Sequence, residues 1–199
     1  MPRVRQEEPG ARVGCRAPRV RCVLRDETER VGDDASAGLV YVHVADGHFD
    51  LAQAIRRAGW NVLTFTYRGA WGSQGEFSIS NAVDDARVAL DFLRSQEAVQ
   101  NCRVDRTRIV VAGHSMGGFA AAMTGAADKE LAGVVLIDAW NVGAAAEQIR
   151  AAGAAGRAAF IAELYDIGRA LQGATADSLA DEVINSAGWD LLSISPGLA

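Results

Sequence analysis

Arg108-Ile109-Val110-Val111-Ala112 runs directly into Gly113-His114-Ser115-Met116-Gly117-Gly118, and Phe119-Ala120-Ala121-Ala122-Met123 follows. Ile109 to Ala112 is an apolar run of strand character, and the residues after Gly118 are small, apolar and helix-forming. Between them, G-x-S-x-G is the sequence form of a sharp strand-to-helix turn that holds a serine exposed. The requirement is steric. Ser115 takes a strained backbone conformation, and the residues two before and two after it approach each other across the turn. Gly113 and Gly117 have no Cβ to collide there. The helix that begins after the turn aims free N–H groups and its positive dipole end at Ser115, which favours developing negative charge. The N–H of Met116 is therefore one half of a predicted oxyanion hole.

Other glycine-loop readings fail on chemistry. Gly113 to Gly118 has the spacing of a phosphate loop, but Phe119 and Ala120 stand where Lys and Ser or Thr are needed, and the glycines do not fit G-x-G-x-x-G.

The chain has 199 residues, 49% of them hydrophobic and 23% charged, which suits one globular domain with a real core. A net charge of −5 gives no field that would favour nucleic acid, and no apolar stretch approaches the length of a membrane span. Met1-Pro2-Arg3-Val4-Arg5 lacks the apolar core of a secretory signal, so a soluble, cytoplasmic protein is expected. Cys15, Cys22 and Cys102 form no C-x-x-C pair, and neither a disulfide framework nor a zinc site is expected from them.

Residues 1–36 read as an irregular, arginine-rich arm in which Val20, Cys22 and Leu24 alternate as one face of an edge strand. From Gly38 the pattern becomes regular. Leu39 to His43 reads as a buried strand, and Leu51, Ala54, Ile55 and Ala58 fall at helical spacing before Gly59. Asn61 to Tyr67 is the next strand. A helix is predicted over Asn81 to Ser95, with Val83, Ala86, Leu90 and Leu93 on its apolar face. The Ser115 strand and its helix come next, then a strand over Gly133 to Asp138. Strands alternating with helices at this spacing imply a mostly parallel sheet with flanking helices, an α/β fold. Sites in such sheets lie at the carboxyl ends of the strands. The loops His43 to Phe49, Arg68 to Phe77 and Asp138 to Asn141 are therefore candidates together with the Ser115 turn. Residues of about 142–185 are alanine-rich and helical, with Phe160, Leu164, Ile167 and Leu171 as a buried stripe. They suit either a cap over the site or a plain packing pair.

From about Gly38 to the C-terminus the chain resembles the α/β-hydrolase superfamily, more narrowly its dienelactone-hydrolase-like and prolyl-oligopeptidase-like serine esterases and peptidases. The resemblance rests on Gly113-His114-Ser115-Met116-Gly117-Gly118, on Tyr67-Arg68-Gly69-Ala70-Trp71-Gly72-Ser73-Gln74-Gly75, and on Val104-Asp105-Arg106-Thr107-Arg108-Ile109, in that family's order. It implies a serine nucleophile, a histidine base, an acid that orients the histidine, two oxyanion N–H groups and no cofactor or metal. Ser115 and the Met116 N–H carry over. His43-Val44-Ala45-Asp46-Gly47 stands where the other oxyanion donor belongs, and the Ala45 N–H takes that place although the usual glycine is absent.

Triad order in this fold is Ser, then Asp or Glu, then His, whereas His43, His48 and His114 all precede Ser115. The expectation is a partial hydrolase domain over 37–199, truncated before its last strand-helix units. His48, on a site-facing loop, is the better substitute base, or is a loop-surface imidazole. His114 adjoins Ser115 in sequence but points elsewhere, and His43 reads as a packing residue. Asp138 matches the acid used by some family members, or is a solvated strand-end carboxylate. Trp71 and Trp140 line a pocket or pack at the sheet's top edge. Arg68 binds a substrate carboxylate or, preferably, forms a structural ion pair. Two functions follow. One is a serine hydrolase of esters, thioesters or amides whose catalytic competence as this chain is doubtful. The other is a non-catalytic remnant that binds a small acyl compound or a protein partner. The expected partner is a small-molecule acyl substrate, with no nucleic acid or membrane, and self-association is expected through an uncovered sheet edge.

Overall fold

In the computed structural model, residues 20–23, 36–42, 49–168, 170–186 and 188–198 are described. The elements in chain order are β1 (Val20–Val23), β2 (Ser36–Val42), α1 (Phe49–Arg57), β3 (Asn61–Phe65), α2 (Ile79–Arg94), α3 (Gln96–Cys102), β4 (Val104–His114), α4 (Met116–Ala127), β5 (Gly133–Ile137), α5 (Val142–Gly168), α6 (Ala176–Ile184) and α7 (Leu191–Ile194). A single 3₁₀ turn, Ser195–Leu198, follows.

Among the described residues, five strands form one sheet in the order β1-β3-β2-β4-β5. β1 runs antiparallel to β3 at one edge, and the other neighbours are parallel. Because side chains alternate across a strand, Val62 and Ala112 face α1 through Ala52, while Leu63, Ile109 and Val111 face the larger core built with α2 and α4. The apolar face of α2 is Ile79, Ala82, Val83, Ala86, Ala89, Leu90 and Leu93. α4 buries Phe119, Ala120, Ala121 and Ala122, so its small side chains let it lie close against the sheet. Among the described residues, no helix is long and apolar enough to cross a membrane.

Three readings of the sequence need correction. The helix expected over Asn81 to Ser95 starts at Ile79, because the Ser78 hydroxyl accepts from the Asn81 N–H; Ser95 instead caps α3, accepting from the Ala98 N–H. The strand into Ser115 begins at Val104. Its pairing with β2 jumps from Ala37↔Asp105 to Gly38↔Ile109, leaving Arg106, Thr107 and Arg108 as a bulge. The Asp105 carboxylate holds that bulge by accepting from the Thr107 N–H at 2.9 Å and its hydroxyl at 2.7 Å. In α1, Leu51 and Ile55 of the expected stripe pack against the core, but Ala54 and Ala58 are exposed and Ala52 is buried in their stead.

α5 is broken at Gly153, with φ 60° and ψ −140°. Before the break, Val142, Ala146 and Ile149 are buried in the core. Beyond it, Arg157 bonds Asp177 and Asp181 of α6 at 2.9 Å each, and Phe160 and Leu164 pack half-buried against the core. The side chain of Ile167 falls outside the described residues.

Candidate active site

Ser115 has φ 54° and ψ −122°, a conformation a non-glycine residue keeps only when its surroundings fix it. The fixing groups are its own backbone partners. Its N–H donates to the Ile137 carbonyl at 3.1 Å, and its carbonyl accepts from the Trp140 and Phe119 N–H groups at 2.9 and 3.1 Å. The turn is thus clamped between the end of β5 and the first turn of α4. A Cβ on Gly113 would stand 2.0 Å from the Gly117 carbonyl oxygen, which is the close approach read from the sequence. Gly118 carries a second requirement that the sequence did not signal: a Cβ there would lie 2.6 Å from the Ala139 Cβ.

The Ser115 side chain is exposed and makes no capping hydrogen bond to α4, so its hydroxyl is presented to solvent at the carboxyl end of β4. Met116 is the first residue of α4, and the N–H at that position has no intrahelical acceptor. Hydroxyl and amide therefore stand side by side at a helix N-terminus, where negative charge is favoured. His114 is the last residue of β4, in register with Ile137.

Asp138 follows β5 directly, exposed and with φ 45°, on the strand next to that of Ser115. Trp140 is half-buried and its ring stacks on Phe160 of α5, with centroids 6.1 Å apart. Asn141 ties this loop down. Its amide donates to Asp190 at 2.8 Å, and its carbonyl oxygen accepts from the Ala144 and Leu191 N–H groups at 3.1 and 3.2 Å. The Asn141 amide, followed by the Ser193 hydroxyl, holds the Asp190 carboxyl below the usual carboxylate range.

The turn after β3 is bound on every side. Arg68 is the structural ion pair: its Nε donates to Asp85 at 2.7 Å and its backbone N–H to the same carboxylate at 2.8 Å. The Ser73 hydroxyl donates to the Tyr67 carbonyl and accepts from the Ala70 N–H at 3.1 Å. A Cβ on Gly69 would meet the Phe77 nitrogen at 2.3 Å. The segment between α5 and α6 joins this turn, with Trp71 donating to Ala170 at 2.9 Å, Gln172 to Gly69 at 2.6 Å and Phe77 to Gln172 at 2.8 Å. Tyr67 sits beneath, edge-on to Phe65 and Phe77. Burial, then the Asp85 charge, pushes its hydroxyl pKa far up, so it stays protonated. Glu182 of α6 accepts from the Ile79 and Ser80 N–H groups at 2.9 Å each, at the N-terminus of α2.

The structure thus brings Ser115, the Met116 N–H, Asp138 and Trp140 to adjacent strand ends. Ala45, His43 and His48 lie outside the described residues. Asp85, Asn141 and Gly118 were missed by sequence reasoning, because each acts through a partner distant in the chain.

Comparison with known proteins agrees with this architecture. The pattern of the Alpha/beta hydrolase family matches residues 38–196. Over 111 residues the chain is 30% identical to the Uncharacterized protein YfhR of Escherichia coli O157:H7, covering 53% of this chain and 37% of that protein. Acetyl xylan esterase from Paenibacillus sp. R4 shares its fold at TM-score 0.54 and 18% identity, over 84% of this chain and 58% of that one. The alpha/beta hydrolase GrgF from Penicillium sp. sh18 does so at TM-score 0.51 and 16% identity, over 84% and 65%. The chain spans well under half the length of the curated relative it matches.

Proposed function

Because the chain belongs to the alpha/beta hydrolase family, we propose that it is a serine acyl hydrolase domain acting on a small ester, thioester or amide. The carrying observation is the exposed Ser115 at φ 54° beside the first N–H of α4. The Ser115 oxygen attacks the acyl carbonyl carbon while its proton passes to a base. The Met116 N–H, with the Ala45 N–H as second donor, holds the carbonyl oxygen as it becomes negative. The leaving group departs with a proton, and water then cleaves the acyl-serine ester. The chemistry needs no cofactor.

Asp138 is the acid of this reading, one strand from Ser115. The base is its weak point, since no histidine follows Ser115 and His48 is the substitute. Turnover by the 199 residues alone is therefore expected near background. A fluorophosphonate probe tests the nucleophile. Slow labelling that Ser115→Ala abolishes, accelerated about tenfold or more by added imidazole acting as external base, supports it. Absence of labelling with imidazole present overturns it. That result would favour the second reading, drawn from the same missing histidine, of a non-catalytic fold that binds a small acyl compound or a protein partner.

A further inference from the structure

The strained turn at Ser115 needs a holder outside itself. Its N–H and carbonyl are gripped by the Ile137 carbonyl and the Trp140 N–H at 3.1 and 2.9 Å, so it keeps its shape only while residues 137–140 keep theirs. That segment is strained as well, with Asp138 at φ 45°. Asn141 stands at its far end. One of the Asn141 hydrogen bonds caps the start of α5 through the Ala144 N–H, and the other two cross to Asp190 and Leu191, 49 and 50 positions along the chain.

The crossing is close. The Gly143 N–H donates to the Trp189 carbonyl at 2.9 Å, and a Cβ on Gly143 would stand 2.5 Å from the Asp190 nitrogen, so the two segments meet only because that Cα is bare. The Trp189 ring lies on Phe119 of α4, with centroids 5.3 Å apart, and the Phe119 N–H is the other donor to the Ser115 carbonyl. Contacts therefore run in a closed circuit from Ser115 through Trp140, Asn141, Asp190, Trp189 and Phe119 back to Ser115. A network closed in this way fixes each member from two sides. The Asp190 carboxylate is itself held, accepting from the Ser193 N–H and hydroxyl at 3.0 and 2.8 Å as the N-cap of α7. With its pKa below the usual aspartate range, it is charged at neutral pH and is the stronger acceptor for that.

We propose that Asn141 and Asp190 are positioning residues for the nucleophile: their hydrogen bond locks residues 137–141, which through the Ile137 carbonyl and the Trp140 N–H hold Ser115 in its strained conformation beside the Met116 N–H. The proposal rests on the Ser115 reading for what is positioned, and not for the coupling itself. Asn141→Asp keeps the cap of α5 and the acceptor for Leu191 but sets a second carboxylate against Asp190, and the two repel. Adding Asp190→Asn exchanges donor and acceptor, so each hydrogen bond of the pair is available again. Two readouts follow the circuit: hydrogen exchange of the Ser115 and Trp140 amides by NMR, and the rate of fluorophosphonate labelling with imidazole present. Asn141→Asp is expected to speed the exchange of both amides and to slow labelling, each about tenfold, with the amides of the β2–β4 ladder unchanged. The double variant is expected to restore both. Asp190→Ser still caps α7 but is too short to reach Asn141, so it is expected to act in the same direction without an added charge, and it serves if Asn141→Asp does not fold.

Unchanged exchange and labelling in the single variants overturn the proposal, as does a double variant that recovers neither. So does faster exchange spread evenly over the whole sheet, which would make the pair a general fastener of the fold. Failure of the Ser115 reading shows separately, as absent labelling of the wild type while exchange of the Ser115 and Trp140 amides still follows the pair.

Discussion

Ser115 occupies a conformation that costs free energy, and that cost is measurable apart from any reaction. Replacing it with glycine removes the Cβ that makes φ 54° unfavourable, while the backbone bonds to Ile137, Trp140 and Phe119 are kept. Ser115→Gly is therefore expected to stabilise the fold by about 1 kcal/mol, offset partly by the greater freedom of glycine in the unfolded chain. Urea unfolding measures it, and a clear loss of stability would show that the turn is not strained. The residue scale is also where the sequence was most readable. The strained turn at Ser115 and the bare Cα needed at Gly113 were legible because their constraint is local, acting within five residues. Gly118 was not, since its need for a bare Cα comes from Ala139 across the site. The preference for Arg68 as an ion pair was legible, but its partner Asp85, 17 positions away, had to come from the fold.

Elements are joined in this molecule mainly by apolar faces, with a few charged fasteners at their ends. Arg94, in the last turn of α2, grips the C-cap of α4 through Asp128, with contacts of 2.5 and 3.0 Å. Both side chains are about four-fifths buried, so solvent screens the pair less than an exposed one. The Arg94 hydrogen bond, more than the Glu130 N–H, holds the Asp128 carboxyl below the ordinary aspartate value. A depressed folded-state pKa means that the stabilisation is complete above the unfolded value, about 3.9, and is lost as pH falls through the folded value. Asp128→Asn is thus expected to cost about 1–2 kcal/mol at neutral pH. Urea midpoints of the two proteins should converge in acid below that range; a gap that persisted there would rule out the ionic origin. Helix and strand identities followed from apolar periodicity, whereas the boundaries of α2 and α3 turned on which serine hydroxyl capped which helix.

At the scale of the whole molecule, the sheet's order places β5 at an edge. Val135, Leu136 and Ile137 are exposed by 45%, 39% and 37%, and the strand contains no charge. An uncharged apolar edge is a template for another strand. The protein is accordingly expected to self-associate as concentration rises, against the weak repulsion of its net charge of −5, and Leu136→Lys to suppress it. Sedimentation velocity over a concentration series decides; a wild type that stays monomeric throughout would overturn it. The alternation of strands and helices made the fold class legible, but not that β3 would lie outside β2. Spatial order depends on crossover connections, which leave no mark in local periodicity.

That order has a consequence for biosynthesis. β2 ends at Val42 and its second neighbour, β4, begins only at Val104. On the ribosome, one side of β2 therefore waits while α1, β3, α2 and α3 emerge. The centre of the sheet closes only when the segment bearing Ser115 slides in beside it, so the Ser115 turn takes shape only after those elements have left the ribosome.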